Sequence, residues 1–247
     1  MIDPHSAPNP LQLLVVKLQL RGALTESDKA AILALAHRRK TYESSSYLIW
    51  EGDKPSQCDL LLTGFAYRQK QTREGRRQIV SLHMPGEALD FQNLFLDVAD
   101  HSVQMLTRGE VAVIEREDLQ TLMWSYPNVG RAMVATILVE ASILREWVLN
   151  VGRRDALTRM AHLLCEFAVR LDGLGLTREQ GYTLPITQEQ FADALGLTPV
   201  HVNRTLKALE GLGLITRSKK VIAFPSWRRL QEVADFNPRY LHIPHIA

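Results

Sequence analysis

Between Tyr47 and Glu115 the apolar residues come in short runs broken by turn-forming residues: YLIW then EGD, DLLL then TGFAY, RQK then TREG, RQIVSLH then MPGE. Gly52, Gly64, Gly75 and Gly86 recur every 11 or 12 residues, the spacing of consecutive antiparallel strands with a turn between each pair. Two further runs, SVQML and EVAVIE, place Val and Ile at alternating positions and read as strands. The segment predicts a small antiparallel β-roll, jelly-roll-like in its succession of short strands. Ahead of it, Thr25-Glu26-Ser27-Asp28 opens a helix, AAILALAHRR, with Thr25 placed as N-cap.

After Glu115 the period changes. Tyr126-Pro127-Asn128 punctuates, and Val129 to Val151 then carries Val134, Ile137, Leu138, Ala141, Leu144, Val148 and Val151 at spacings of three and four. A helix of roughly 23 residues spans about 35 Å, too long for one small roll to cover. Met133, Ile143 and Trp147 lie off that stripe, so the helix presents two apolar faces. One would pack on the roll and the other on a partner, most simply a two-fold copy of itself; the alternative is burial of both within one chain. Gly152-Arg153-Arg154-Asp155 marks a boundary, followed by a second amphipathic helix, ALTRMAHLLCEFAVRL, a loop from Asp172 to Gly181, and a short run, YTLPI.

Thr187-Gln188-Glu189-Gln190 has the form of a capping box opening a short helix that carries Phe191, Ala192 and Leu195 inward. Gly196 supplies a bend. Thr198-Pro199 is a second start signal, Thr as N-cap and Pro at the first helical position, where its missing N–H is not needed. The second helix, Pro199 to about Glu210, ends at Gly211 and Gly213. Two short helices around a tight turn form a helix-turn-helix. On the second helix Val202, Leu206 and Leu209 form the inward stripe; Val200, Arg204 and Lys207 lie opposite, flanked by His201 and Asn203. This is the layout of a groove-reading helix. Arg204 is placed to grip a guanine edge, and Lys207, one turn on, a phosphate. Thr187, Gln188, Thr198 and Pro199 sit at helix starts where backbone N–H groups meet phosphate. Leu214 to Arg217, Ser218-Lys219-Lys220 and Val221 to Phe224 read as strand, basic turn and strand: a wing offering Arg217, Lys219 and Lys220 to the backbone.

The predicted class is α+β: an N-terminal segment (1–23), a β-roll sensor domain (24–126), a dimerisation helix (127–152), a winged helix-turn-helix (153–228) and a tail (229–247). A chain of 247 residues suits such a division. The net charge of +2 conceals an asymmetry, since 13 Lys and Arg face 9 Asp and Glu from Arg153 onward, against 16 and 18 before it. The basic part is the DNA-reading part. There is no apolar run long enough to span a membrane and no cationic leader before LQLLVV, which leads us to expect a cytoplasmic protein. Cys58 and Cys165 alone cannot hold a zinc or iron–sulfur site, so no metal is expected. No GxSxG, HExxH or GxxxxGK[ST] is present, and an enzyme is not expected. The rival from a different class is a ligand-binding or interaction module whose helix-turn-helix does not read DNA.

Over about residues 24 to 228 the chain resembles the CRP/FNR superfamily of bacterial transcription regulators. ADALGLTPVHVNRTLKALEGLGLI resembles that family's helix-turn-helix, and MPGE with EVAVIERE its sensor roll. The resemblance implies a homodimer joined through the long helix, binding double-stranded DNA at a two-fold-symmetric site with one recognition helix per half-site; RNA polymerase would be a further partner. The family places a Glu four residues before the recognition-helix Arg, and this chain has Val200 before Arg204. The acceptor for a cytosine amino group is absent, and an apolar Val200 would instead meet a thymine methyl. His201 and Asn203 are extra candidate readers.

The family's cyclic-nucleotide cassette is matched by Gly86 and Glu87, but Asp90 stands near its second glycine and His101-Ser102 near its Arg-Ser pair. A cyclic phosphate would lose its charge-assisted donor. Gly86, Glu87, His101 and Ser102 are the candidate effector contacts, for an effector other than cAMP or for none; a cyclic-nucleotide-dependent regulator is the alternative. The N-terminal cysteine cluster of the oxygen-sensing branch is absent. His83 beside Met84 could be offered as a haem ligand, but a lone His is more often structural, and no haem is expected. The tail WRRLQEVADFNPRYL suggests a helix starting near Ser226 and packing on the wing.

Overall fold

The alternating runs do become strands, in an order that only long-range pairing reveals. The structure, a computed structural model, describes residues 9–172, 182–218 and 221–243. In chain order, α1 (Gln12–Gln19) and α2 (Glu26–Leu33) precede β1 (Arg38–Tyr42), β2 (Tyr47–Ile49), β3 (Gln57–Leu61), β4 (Ala66–Gln71), β5 (Arg77–His83), β6 (Ser102–Met105) and β7 (Gly109–Glu115). α3 (Arg116–Ser125), α4 (Pro127–Arg153) and α5 (Ala156–Asp172) follow, then β8 (Tyr182–Thr183), α6 (Gln188–Leu195), α7 (Pro199–Gly211), β9 (Thr216–Ser218), β10 (Val221–Ala223) and α8 (Trp227–Val233). The chain divides into two compact units, residues 1–68 with 82–140 and residues 69–81 with 141–247. Among the described residues no helix is long and apolar enough to cross a membrane.

In the first unit one sheet runs β1-β7-β3, and β2, β6 and β4 lie in a second, ordered β2-β6-β4-β5. β7 pairs antiparallel with both β1 (Arg38↔Val113) and β3 (Asp59↔Val113). The two sheets enclose Leu61, Val103, Met105 and Val111. Close approach at one edge demands glycine: a Cβ on Gly109 would stand 2.2 Å from the Thr63 carbonyl oxygen. A separate cluster joins Leu14, Val15 and Leu18 of α1 to Leu60, Ile114, Leu122 and Met133.

Two helices lie where no periodicity announced them: α1, within the N-terminal segment, and α3, directly after β7. Eight and ten residues are too short for a convincing apolar period, and burial against the roll holds them. The helix capped by Thr25 is shorter than AAILALAHRR suggested. It carries a full capping box with Asp28 but stops at Leu33, and Arg38–Tyr42 becomes β1. That stretch has no apolar face to hold a helix on the core, whereas β7 offers it a complete ladder. α4 starts at Pro127 as the division at 127–152 expected and runs one residue further, to Arg153, 27 residues in all.

The second unit holds α5 to α8, the sheet β8-β10-β9 and the hairpin arm 69–81. Arg77 on that arm pairs with Asp193 of α6 at 2.6 Å, and Gln78 donates to the Ala194 carbonyl. α8 begins after Ser226 as expected; it packs mainly on α5, and its first residue, Trp227, meets Phe224 of the wing edge-on, 5.7 Å between ring centres. There Glu166, 1% exposed, accepts from Trp147 Nε1 (3.0 Å), Tyr240 OH (2.9 Å) and Arg170 (3.1 Å). His162, stacked on Tyr240 and edge-on to Phe236, has its pKa pulled down to about 3 by burial and by Arg154.

Candidate functional site

Both caps of the helix-turn-helix form. Thr187 Oγ1 accepts from Gln190 N (3.2 Å) while Gln190 Oε1 accepts from Thr187 N (2.9 Å), and Thr198 Oγ1 accepts from His201 N (3.3 Å). Gly196 takes φ +62°, ψ +41°, the left-handed conformation that ends α6 and redirects the chain into α7. Val202, Leu206 and Leu209 are buried, and Phe191, Ala192 and Leu195 of α6 are buried beside them. This packing leaves the opposite face of α7 outward. Gln188, Pro199, Val200, Asn203, Arg204 and Lys207 line one shallow concavity of about 470 Å³. Val200 is 79% exposed. His201 lies half-buried on the flank.

Arg217 stands apart from these. It pairs with Glu210 at the end of α7 (2.6 Å) and holds that carboxyl below its ordinary range. A phosphate would compete with Glu210 for it. Lys219 and Lys220 lie outside the described residues.

The dimerisation stripe on α4 splits by exposure. Val134, Leu138, Leu144 and Val148 are exposed, with Leu138 at 63% and Val148 at 67%, while Ile137, Ala141 and Val151 are half-buried. Met133 and Trp147, off the stripe, are buried.

Of the four effector candidates, Glu87 and His101 both act on one buried cation, Arg68. A Cβ on Gly86 would meet Lys17 Cγ at 3.0 Å, so α1 covers this turn. Glu87 pairs with the same Lys17 (3.2 Å) and accepts from Met84 N (3.2 Å), and His83 Nδ1 lies 3.6 Å from it. Ser102 Oγ accepts from Glu51 N (2.9 Å). His101 faces a charged cluster. Its Nδ1 meets Asp100 (2.8 Å), and its Nε2, left without a hydrogen-bond partner, lies 3.6 Å from Asp90.

The centre of that cluster is Arg68 of β4. Its Nε and one terminal nitrogen donate to the Leu89 carbonyl and the other donates to Glu140 of α4 (2.7 Å), with Asp90 3.8 Å away. Burial works against the charged guanidinium, but Glu140 and Asp90 outweigh it and raise the Arg68 pKa. Burial lifts the Asp90 carboxyl to about 7 despite Arg68, and burial together with Arg68 lowers His101. Sequence reasoning passed over Arg68 and Glu140. The available signal was a charge inside an apolar run: Glu140 is the sole acid between Pro127 and Arg145.

A family profile described as a Crp-like helix-turn-helix domain matches residues 158–233, and one described as a cyclic nucleotide-binding domain matches residues 39–126. The transcriptional activator protein FnrL of Cereibacter sphaeroides is 31% identical over 218 residues, 86% of this chain and 87% of that protein. The chain belongs to the CRP/FNR family of transcription regulators. The nitrogen fixation regulation protein FixK of Rhizobium meliloti is 28% identical over 71% of this chain and 76% of its own length. The solved structure of FixK2 from Bradyrhizobium japonicum, 22% identical, superposes with a TM-score of 0.71 over 81% of this chain and 98% of that one, and shares the fold. Regulators with this helix-turn-helix bind DNA, and these relatives are transcription regulators rather than enzymes. The cluster around Arg68 engages that cation with Glu140, the Leu89 carbonyl and Asp90.

Proposed function

We propose that the protein is a homodimeric CRP/FNR-type regulator that reads a two-fold-symmetric operator through one α7 per half-site and does not take cAMP as its signal. The observation that carries this is the outward face of α7, where Val200, Asn203, Arg204 and Lys207 share one concavity behind which Val202, Leu206 and Leu209 are buried. A helix held by its back in this way can offer its donors to a major groove without rearrangement. The exposed Val134, Leu138, Leu144 and Val148 supply the apolar face that pairing through α4 requires. The Arg68–Glu140 pair links the roll to α4 by a direct side-chain contact, which favours a signal other than a cyclic nucleotide, or none. The burial and wide separation in sequence of Cys58 and Cys165 favour a regulator without an iron–sulfur centre, and the burial of His83 beside Glu87 favours a structural role for it over haem ligation. RNA polymerase is the natural further partner of an operator-bound regulator.

Binding-site selection from random DNA, with and without cAMP, tests this reading. The expected result is one set of two-fold-symmetric sites under both conditions, bound with an affinity that falls steeply as salt rises. Enrichment only in the presence of cAMP would overturn the effector statement, and no enrichment under either condition would overturn DNA reading.

A further inference from the structure

One open end of the roll holds a buried carboxylate that the fold leaves unanswered. Val113 on β7 pairs with Arg38 on one side and Asp59 on the other, so the three stand in one row with their side chains on the same sheet face. Asp59 is 9% exposed, yet among the described residues none hydrogen-bonds or ion-pairs its carboxylate. Arg38 lies two strand spacings away, about 10 Å at the backbone, and donates instead to Gln57 Oε1 (2.8 Å). The Lys40 ammonium sits over the Tyr42 ring, 4.4 Å from its centre. Between them lies a cleft of about 390 Å³, with Lys40 and Lys54 among its lining cations and Leu48, Ile49 and Val113 in its apolar wall.

A carboxylate with this little access to water and no protein donor is costly to hold, ~1–3 kcal/mol or more when charged, and such a group marks a place where a water, an ion or a ligand is held. Burial lifts the Asp59 carboxyl to about 6, against the pull of Lys40 and Arg38, so near neutrality it is mostly ionised and accepts only. Around it Arg38, Lys40 and Lys54 outnumber Asp53 and Asp59 by one charge, which a single carboxylate balances and a phosphate dianion overshoots.

We propose that this cleft binds a small aliphatic carboxylic acid carrying a hydroxyl or ammonium donor on the carbon next to its carboxylate. The donor meets Asp59, the carboxylate meets Lys40 and Lys54, and the aliphatic chain lies on Leu48, Ile49 and Val113. The site is separate from α7, so its fate leaves the DNA-reading proposal where it stands.

Titration calorimetry on the full chain decides it with L-leucine, 2-hydroxy-4-methylpentanoate, 4-methylpentanoate and 3-methylbutylamine as probes. At least one of the two donor-bearing acids should bind about tenfold or more tighter than 4-methylpentanoate, and the amine should be silent; which of the two binds identifies the donor. Asp59→Asn should erase the preference for a donor. Lys40→Gln, at an exposed position, should weaken every acid alike and keeps the test decisive if Asp59→Asn fails to fold. No heat from either donor-bearing acid at millimolar concentration, equal affinity for 4-methylpentanoate, or affinities that Lys40→Gln leaves unchanged would each overturn the proposal.

Discussion

Single side chains decide which bases this regulator can prefer. On the proposed reading Arg204 offers the donor fork that suits guanine, while Val200 lacks a carboxylate acceptor for cytosine. Arg204→Ala should cost ~1–3 kcal/mol per half-site and relax discrimination at one base pair, whereas Lys207→Ala should weaken all sequences alike and flatten the salt slope by about one phosphate contact; competitive binding across single-base operator variants checks both. Val200→Glu should move the selected half-site toward cytosine at the position where thymine is expected, and an unchanged selection would remove Val200 from the readers. Asp90 makes a prediction about pH. Its folded pKa, about 7, lies above the unfolded value, so the folded chain holds the proton longer and the stability it contributes is lost as pH rises from about 4 to 7. Asp90→Asn should therefore gain on the wild type between pH 5 and pH 8, by roughly 3 kcal/mol at most, in denaturant titrations at the two pH values.

At the scale of elements, what the sequence reveals depends on how local the cause is. The caps of α6 and α7 are contained within four residues each, and Thr187, Gln190, Thr198 and Gly196 take the roles their types suggested. Removing either hydroxyl, Thr187→Ala or Thr198→Ala, should cost about 1 kcal/mol, and Gly196→Ala about 1–2 kcal/mol for its left-handed backbone, read as lower midpoints in thermal unfolding. β1 could not be seen this way: RRKTY carries no apolar alternation, and only its ladder with β7, some seventy residues on, makes it a strand. The Arg68–Glu140 pair was hidden for the same reason, being 72 residues apart. The partner of Arg217 was likewise out of reach of the sequence, because Glu210 lies across the turn between α7 and β9. The dimer stripe was legible as period, but its partition into exposed and half-buried positions needed the packing of α4 itself.

For the whole molecule, the proposed two-fold reading of an operator rests on the exposed stripe of α4. Leu138→Asp, at a side chain already 63% exposed, should leave the fold of one chain intact and place a charge in the pairing face. Sedimentation should show a monomer, and affinity should fall to that of a single half-site. A monomer that kept full operator affinity would remove dimerisation through α4.

The Glu166 site makes the tail a structural member of the unit that carries α7. Its donors come from Trp147, Arg170 and Tyr240, and Phe236 and Tyr240 cover His162. A chain cut short before Phe236 would keep α7 but leave a buried acid short of a donor, and should be more readily proteolysed.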